Sequence, residues 1–351
     1  MQKTILSVVG ARPQFIKHAP IQFLLRKHYN ALTLHTGQHY DYKMSEVFFN
    51  ELNIDKPNFI FELDTVNSQN QGAQTAQIMI FIEKVCLKVI PDALLVYGDT
   101  NSTLAGAIVA AKLQIPIIHI EAGLRSFNRS MPEEVNRIIA DEFSYLLFCP
   151  TSLAISNLQK EGIEHDRIFL CGDVMIDTLR MIKPKIRRLH IDDYYFATIH
   201  RPYNTDSETR LIDILNVLNS LDKIVIFPIH PRTKNRLSFF GVKDFSIYKN
   251  IVFIDPVSYL ESISYQNFSS CVITDSGGVQ KEAYALKKKC ITIRTETEWS
   301  ETLKNGWNSL AFDDLSKIKY LIQEKPGQYI ENLYGDGNAS DSIVNIIKRF
   351  I

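Results

Sequence analysis

The chain carries no excess of charge of either sign. Lys+Arg and Asp+Glu stand at 39 each, a formal net charge of zero, so the broad positive field of a nucleic-acid or anionic-membrane binder is missing. Any anionic ligand must be met by cations placed locally. No CxxC pair occurs among Cys86, Cys149, Cys171, Cys271 and Cys290. These five lie in or beside apolar runs and read as buried free thiols of a reducing cytoplasm rather than bridges or zinc ligands. No apolar stretch approaches the roughly 18 residues of a membrane-spanning helix, and the N-terminal run meets Arg12 and Lys17 too early for a signal sequence. Also missing are a GxGxxG after a strand, the GxxxxGK[ST] loop, HExxH and any D-x-D pair. NAD-dependent oxidation, ATP hydrolysis, zinc hydrolysis and metal-chelating sugar transfer thereby lose their usual signatures, and neither cofactor nor metal is expected.

What is present is an ordinary globular composition, 45% hydrophobic and 22% charged over 351 residues, long enough for two domains at about 150 residues each. Short Val/Ile/Leu-rich runs alternate with helix-like segments, the pattern of buried parallel strands with helical crossovers. The first set is Thr4–Val9, Ala31–His35, Ala93–Tyr97, Pro116–Ile120, Tyr145–Cys149 and Ile168–Cys171. After the basic stretch Lys183–Leu189 come Tyr195–Ile199, Lys223–Pro228, Ile251–Ile254, Cys271–Thr274 and Cys290–Ile293. Two doubly wound α/β domains follow, with no low-complexity tract or internal repeat.

The residues just beyond these strands carry the chemistry, because open parallel sheets bind ligands at that edge. They include Gly10-Ala11-Arg12, Gly37-Gln38-His39, Gly98-Asp99, Glu121-Ala122-Gly123, His200-Arg201, His230-Pro231 and Asp275-Ser276-Gly277-Gly278. If the two sheets face one cleft, residues from both halves line it. Ser276-Gly277-Gly278 reads as a tight turn into a helix start, suited to a phosphate, or else as an ordinary βα turn. Glu282, one turn further, can take ribose hydroxyls or simply be solvated. Arg12 and Lys17 flank a Pro-initiated helix and can neutralise a pyrophosphate, or form a surface cation pair. Glu133 and Arg137 fall at i and i+4 of a second Pro-initiated helix. With Asp99 and Glu121 they form a crevice of ionisable groups suited to acid/base work; the plainer alternative is an exposed Glu133–Arg137 pair. His200 can act as acid, base or charged donor, whereas His230 reads as positional.

Taken in order, Gly10-Ala11-Arg12-Pro13-Gln14 with Lys17, Gly98-Asp99-Thr100, His119-Ile120-Glu121-Ala122-Gly123-Leu124-Arg125, Pro132-Glu133-Glu134 with Asn136-Arg137, Asp275-Ser276-Gly277-Gly278 with Glu282, and Arg294 with Glu298 resemble the non-hydrolysing UDP-N-acetylglucosamine 2-epimerases. The resemblance implies two Rossmann-like doubly wound domains facing a cleft, the glycosyltransferase-B architecture. It places one domain at 1–170 plus 336–351 and a UDP-binding domain at 171–335, usually in a homodimer. It implies inversion at C2 of a UDP-2-acetamido sugar by anti elimination of UDP to a 2-acetamidoglucal and re-addition. Asp99, Glu121, Glu133, Arg137 and His200 are then the catalytic set, and Arg12, Lys17, Ser276, Gly277, Gly278, Glu282 and Arg294 hold UDP.

Departures from the family pattern include Gln14 where many members have Glu, Tyr40-Asp41 after Gln38-His39, and Trp299 in place of a basic residue. Gly10–Gln14 and Arg294–Trp299 resemble the branch acting on modified sugars, such as UDP-2,3-diacetamido-glucuronate or 2-acetamido-6-deoxy sugars. A hydrolysing 2-epimerase, a glycosyltransferase of the same architecture and a non-catalytic nucleotide-sugar sensor are the competing readings.

Overall fold

The computed structural model describes residues 2–38, 49, 51–63, 70–189 and 191–351. It divides into two units, Met1–Lys183 with Asn332–Ile351, and Pro184–Glu331. The class is α/β, with two Rossmann-like halves.

In the first unit seven strands run parallel: β1 (Thr4–Val9), β2 (Asn30–His35), β3 (Phe59–Ile60), β4 (Ala93–Tyr97), β5 (Ile117–Ile120), β6 (Leu146–Cys149) and β7 (Ile168–Leu170), in the order β3-β2-β1-β4-β5-β6-β7. Five of the six residues of β1 and all of β4 are buried. Strands covered on both faces have no polar side to alternate with, which is why they read as unbroken apolar runs. In the second unit β8 (Tyr195–Thr198), β9 (Val225–Pro228), β10 (Ile251–Ile254), β11 (Cys271–Thr274), β12 (Cys290–Thr292) and β13 (Asn308–Leu310) run parallel in the order β10-β9-β8-β11-β12-β13.

Both sheets reverse their winding at the same place, between the first strand and the fourth. That reversal leaves a crevice beyond the carboxyl ends of the two strands. In the first unit the crevice receives Gly10–Arg12 from β1 and Gly98-Asp99 from β4; in the second it receives His200-Arg201 from β8 and Asp275-Ser276 from β11.

The chain's last helix, Ala339–Phe350, belongs to the first unit and buries Ile343, Val344 and Ile347. Buried Asp177 accepts from the Ala339 and Ser340 amides at 3.2 and 2.7 Å, satisfying N–H groups that the helix itself leaves open. All five cysteines are unbridged, four of them buried. Among the described residues no helix is long and apolar enough to cross a membrane.

Candidate functional site

The first βα turn of the first unit is organised by Gln14. Its Oε1 accepts from the Gly10 and Ala11 amides at 2.7 and 3.1 Å, and its Nε2 donates to the Tyr97 carbonyl at 2.9 Å and to Thr103 Oγ1 at 3.1 Å. An amide can do both, so one buried side chain ties the end of β1 to the end of β4. Helix Arg12–Leu25 begins here with Pro13 in its first turn. Arg12 is half-buried at its start, and Lys17 lies just over one turn deeper, buried.

Lys17 Nζ stands 2.5 Å from Glu121 Oε1, and both heads are buried. A charge taken out of water needs such a partner. Glu121 leaves β5 at φ +72°, a left-handed backbone costly for a side chain with a Cβ. Gly98 leaves β4 at φ +60°, and a Cβ there would stand 3.2 Å from Glu121 Oε1 and 3.4 Å from Lys17 Nζ. The ion pair thus lies directly against the turn that presents Asp99.

Asp99 Oδ2 receives Arg137 Nη2 at 2.5 Å, while Arg137 Nη1 reaches Glu134 Oε2 at 2.9 Å. The helix carrying Arg137, Pro132–Phe143, has Pro at its start and Glu133 and Glu134 in its first turn, where carboxylates suit the helix dipole. Glu134 also accepts from the Ser126 and Phe127 amides at 2.9 and 2.8 Å. Burial pushes its carboxyl up, but the Ser126 amide, Arg137, the Phe127 amide and the Ser126 hydroxyl outweigh it and leave Glu134 below the ordinary carboxylate range. Glu133, its neighbour, is half-buried. Asn136 Nδ2 holds the Asp99 carbonyl at 2.9 Å.

In the second unit Asp275, fully buried at the end of β11, accepts from the His200 amide at 3.0 Å, the Arg201 amide at 2.9 Å and Asn204 Nδ2 at 3.1 Å. Its Oδ1 stands 3.4 Å from His200 Nδ1, so the imidazole is aimed by a carboxylate behind it. His230 stacks on His200 with centroids 5.2 Å apart and accepts the Arg232 amide at the start of its own helix. Ser276 precedes helix Gly277–Ala285 without capping it, leaving the amides of the first turn as anion donors. Glu282 receives Gln266 Nε2 at 2.7 Å. Arg294 Nη1 pairs with Glu298 Oε2 at 2.9 Å, and Lys281 Nζ lies 3.8 Å from the centre of the Trp299 ring.

The first unit therefore brings Lys17, Glu121, Asp99 and Arg137 together around the ends of β4 and β5, with Arg12 and Glu133 at the starts of the flanking helices. The second unit gathers His200, Ser276, Gly277, Gly278, Glu282 and Arg294 at the ends of β8, β11 and β12 and on helix Gly277–Ala285. Gln38 accepts from the Ser102 amide and hydroxyl; His39, Tyr40 and Asp41 lie outside the described residues. Sequence reasoning met Gln14, Glu134 and Asn204 only as members of motifs and gave them no role, and it passed over Asp141 and the orienting contacts of Asp275. Only an i,i+3 reading of Glu134 with Arg137 was locally visible. Among the described residues no group of three His, Cys, Asp or Glu is placed to hold a metal ion.

The sequence profile described as UDP-N-acetylglucosamine 2-epimerase matches residues 24–348. A Methanococcus maripaludis protein named UDP-N-acetylglucosamine 2-epimerase homolog is 44% identical over 98% of this chain and 99% of its own length. A Pseudomonas aeruginosa protein named UDP-2,3-diacetamido-2,3-dideoxy-D-glucuronate 2-epimerase is 43% identical over 98% and 99%. The crystal structure of Methanocaldococcus jannaschii UDP-GlcNAc 2-epimerase in complex with UDP-GlcNAc and UDP superposes with a TM-score of 0.91, at 39% identity and 99% coverage of both chains. With the match spanning nearly the whole chain, and carboxylates, cations and glycines set at the carboxyl ends of both sheets, the chain belongs to the UDP-N-acetylglucosamine 2-epimerase family.

Proposed function

We propose that the protein inverts C2 of a UDP-2-acetamido sugar, UDP-N-acetylglucosamine in the first instance, by eliminating UDP to a 2-acetamidoglucal and adding it back from the other face. A C2 proton beside an intact acetal is not acidic. The anomeric C–O bond must break ahead of proton removal, so positive charge grows at C1 while negative charge grows on the diphosphate. The reading is carried by the convergence of two cation-held carboxylates, Glu121 on Lys17 and Asp99 on Arg137, about the Gly98 turn. Groups held in this way can steady positive charge at C1 and accept a proton. Exchange of a proton on opposite faces takes at least two such groups, and Glu133 offers a third.

The diphosphate needs donors fixed before the reaction begins. In the second unit the amides of Ser276, Gly277 and Gly278 with Arg294 are the groups we assign to it. Glu282, oriented by Gln266, is assigned to the ribose hydroxyls. A modified 2-acetamido sugar is the second reading. It is favoured by buried Trp299 under the Lys281 ammonium, where a basic residue is usual, and by the diacetamido-glucuronate enzyme among the relatives.

Turnover of a panel of UDP-2-acetamido sugars in heavy water, followed by NMR, tests both readings. The expected result is deuterium at C2 with UDP retained in the product; stoichiometric UDP release would assign a hydrolysing enzyme. No C2 exchange with any member of the panel would end the proposal. We further assign the chain to the cytoplasm, a setting that suits its five free thiols, and to a homodimer. Exposed Ile80, Leu87 and Ile90 on and just after helix Gln71–Val89 support association. Light scattering should give twice the 40.2 kDa chain.

A further inference from the structure

His119 is the third residue of β5 and is fully buried. Its two ring nitrogens both face oxygen: Nε2 lies 2.8 Å from the Gly98 carbonyl and Nδ1 2.7 Å from Asp141 Oδ1. A carbonyl oxygen can only accept, so Nε2 carries a hydrogen. The second contact also needs a hydrogen, and a neutral imidazole has none left to give. The His119–Asp141 pair therefore holds one proton more than a neutral imidazole beside a carboxylate would.

The surroundings decide which residue holds it. Asp141 Oδ2 already accepts Arg125 Nη1 at 2.7 Å and the Gly123 amide at 3.1 Å. Arg125 in turn grips Glu161 through Nε at 2.7 Å and Nη2 at 2.6 Å. Cys149, whose thiol burial and then the Asp141 charge push up, adds no charge at neutral pH. With Arg125 and His119 positive and Asp141 and Glu161 negative the four groups sum to zero, Glu161 lying at the exposed end of the network. Burial alone pushes the Asp141 carboxyl up, but the charges and hydrogen bonds of His119 and Arg125 hold it below its ordinary value.

We propose that His119 is a buried imidazolium and that Asp141 is a positioning residue, holding it while fixing the two turns that present Asp99 and Glu121. Toward β4, the charged N–H binds the carbonyl of Gly98, immediately before Asp99, as a charge-assisted bond. Toward β5, the other Asp141 oxygen binds the Gly123 amide and so closes the turn that begins with Glu121 at φ +72°. One carboxylate thus sets the separation of two turns whose acids must meet the same sugar ring. This role rests on the epimerase reading; the protonation state does not.

Two measurements decide it. In the wild-type protein, 15N NMR of the histidine rings, with His119 assigned by its loss in His119→Asn, should show both nitrogens of His119 protonated at pH 7.5. A ring with one bare nitrogen would overturn the proposal, including the arrangement in which Asp141 keeps the proton. The variant Asp141→Asn keeps the shape and can meet every contact, its oxygen accepting from Arg125 and Gly123 and its amide donating to His119 Nδ1. It removes the extra proton. His119 should become neutral, its bond to the Gly98 carbonyl should lose its charge assistance, and kcat should fall about 10- to 100-fold with KM moved less than about 3-fold, because the weakened bond loosens the turn that presents Asp99. An unchanged kcat in that variant would overturn the positioning role. Should the variant not fold, the wild-type spectrum alone decides the protonation state and Asp141→Glu serves for kcat, with the same loss expected because the longer arm displaces both turns. A wild-type protein without C2 exchange on any sugar would instead remove the epimerase reading and leave the imidazolium standing on its spectrum.

Discussion

Lys17 and Glu121, 104 residues apart in the chain, meet with Nζ 2.5 Å from Oε1 and almost no water at either head. One charge arrives on the first helix of the unit and the other on the turn after β5, so the pair holds together two elements of the proposed site. Breaking such a pair from one side costs more than deleting both halves, because it strands a buried charge.

Lys17→Met should therefore destabilise the protein by about 3–5 kcal/mol, read as a lower urea midpoint. The double variant Lys17→Met with Glu121→Gln should recover most of that loss, while both variants lose turnover. Equal stability of the single and double variants would show that the ammonium does not offset the Glu121 charge.

Glu121 also carries backbone strain that can be separated from its carboxylate. At φ +72° any residue with a Cβ is strained and glycine is not. Glu121→Gly and Glu121→Ala both lose the acid and should both be inactive. The glycine variant should nonetheless be the more stable by about 0.5–1 kcal/mol, against the usual rank of these residues. Thermal unfolding of the two side by side checks it; alanine at or above glycine would place the strain elsewhere.

The strands were legible where burial on both faces made them continuous apolar runs, so Thr4–Val9, Ala93–Tyr97 and Cys271–Thr274 form as read, and the apolar edge strand Ile251–Ile254 forms as read although only partly buried. β3 and β13 were not. Phe59–Ile60 is two residues long, and two of the three residues of Asn308–Leu310 are polar, with Asn308 serving Thr292 and Gln280 by hydrogen bonds. In the candidate site, Asp99 and Glu121 announced themselves as acids beyond strand ends. The partners did not, because they are set by tertiary packing: Gln14 reaches a carbonyl 83 residues away, and the ion pairs of Arg137 run to Glu134, one residue beyond the i,i+4 partner the helix spacing named, and to Asp99, 38 residues away. His119 in an apolar strand gave no hint that Asp141 waited beneath it.

Two other buried histidines set the acid side of stability. Burial, then the Arg26 charge, hold His18 down to about 3, and burial holds His35 to about 4. The unfolded chain takes up these protons near pH 6.5, the folded chain only near those lower values. The stability they contribute is thus complete above about pH 6.5 and lost as pH falls, each contributing a slope of up to about 1.4 kcal/mol per pH unit. Glu134 and Asp141, held below their ordinary range, add their loss only at lower pH, below that of an unfolded carboxylate. Urea unfolding at pH 6, 5.5 and 5 should show stability falling throughout, with the slope reduced in His18→Gln. A flat profile down to pH 5 would contradict neutral burial of these rings.

Adjacent glycines at the start of helix Gly277–Ala285 separate packing from ligand binding. A Cβ on Gly277 would stand 2.4 Å from Glu298 Oε1, whereas a Cβ on Gly278 meets nothing within 4 Å. Gly277→Ala must therefore displace the Glu298 carboxylate paired with Arg294 and should cost stability. Gly278→Ala has room, and alanine in a helix turn should leave the protein as stable or gain about 0.5–1 kcal/mol. Yet the open space in front of Gly278 is where a diphosphate would approach the helix amides, and a methyl group there keeps it at a distance. Calorimetric titration with UDP should show affinity falling at least about tenfold, about 1.4 kcal/mol, in a variant with an undiminished melting temperature. UDP binding unchanged in Gly278→Ala would move the diphosphate away from this helix, and with it the assignment of Ser276, Gly277 and Gly278.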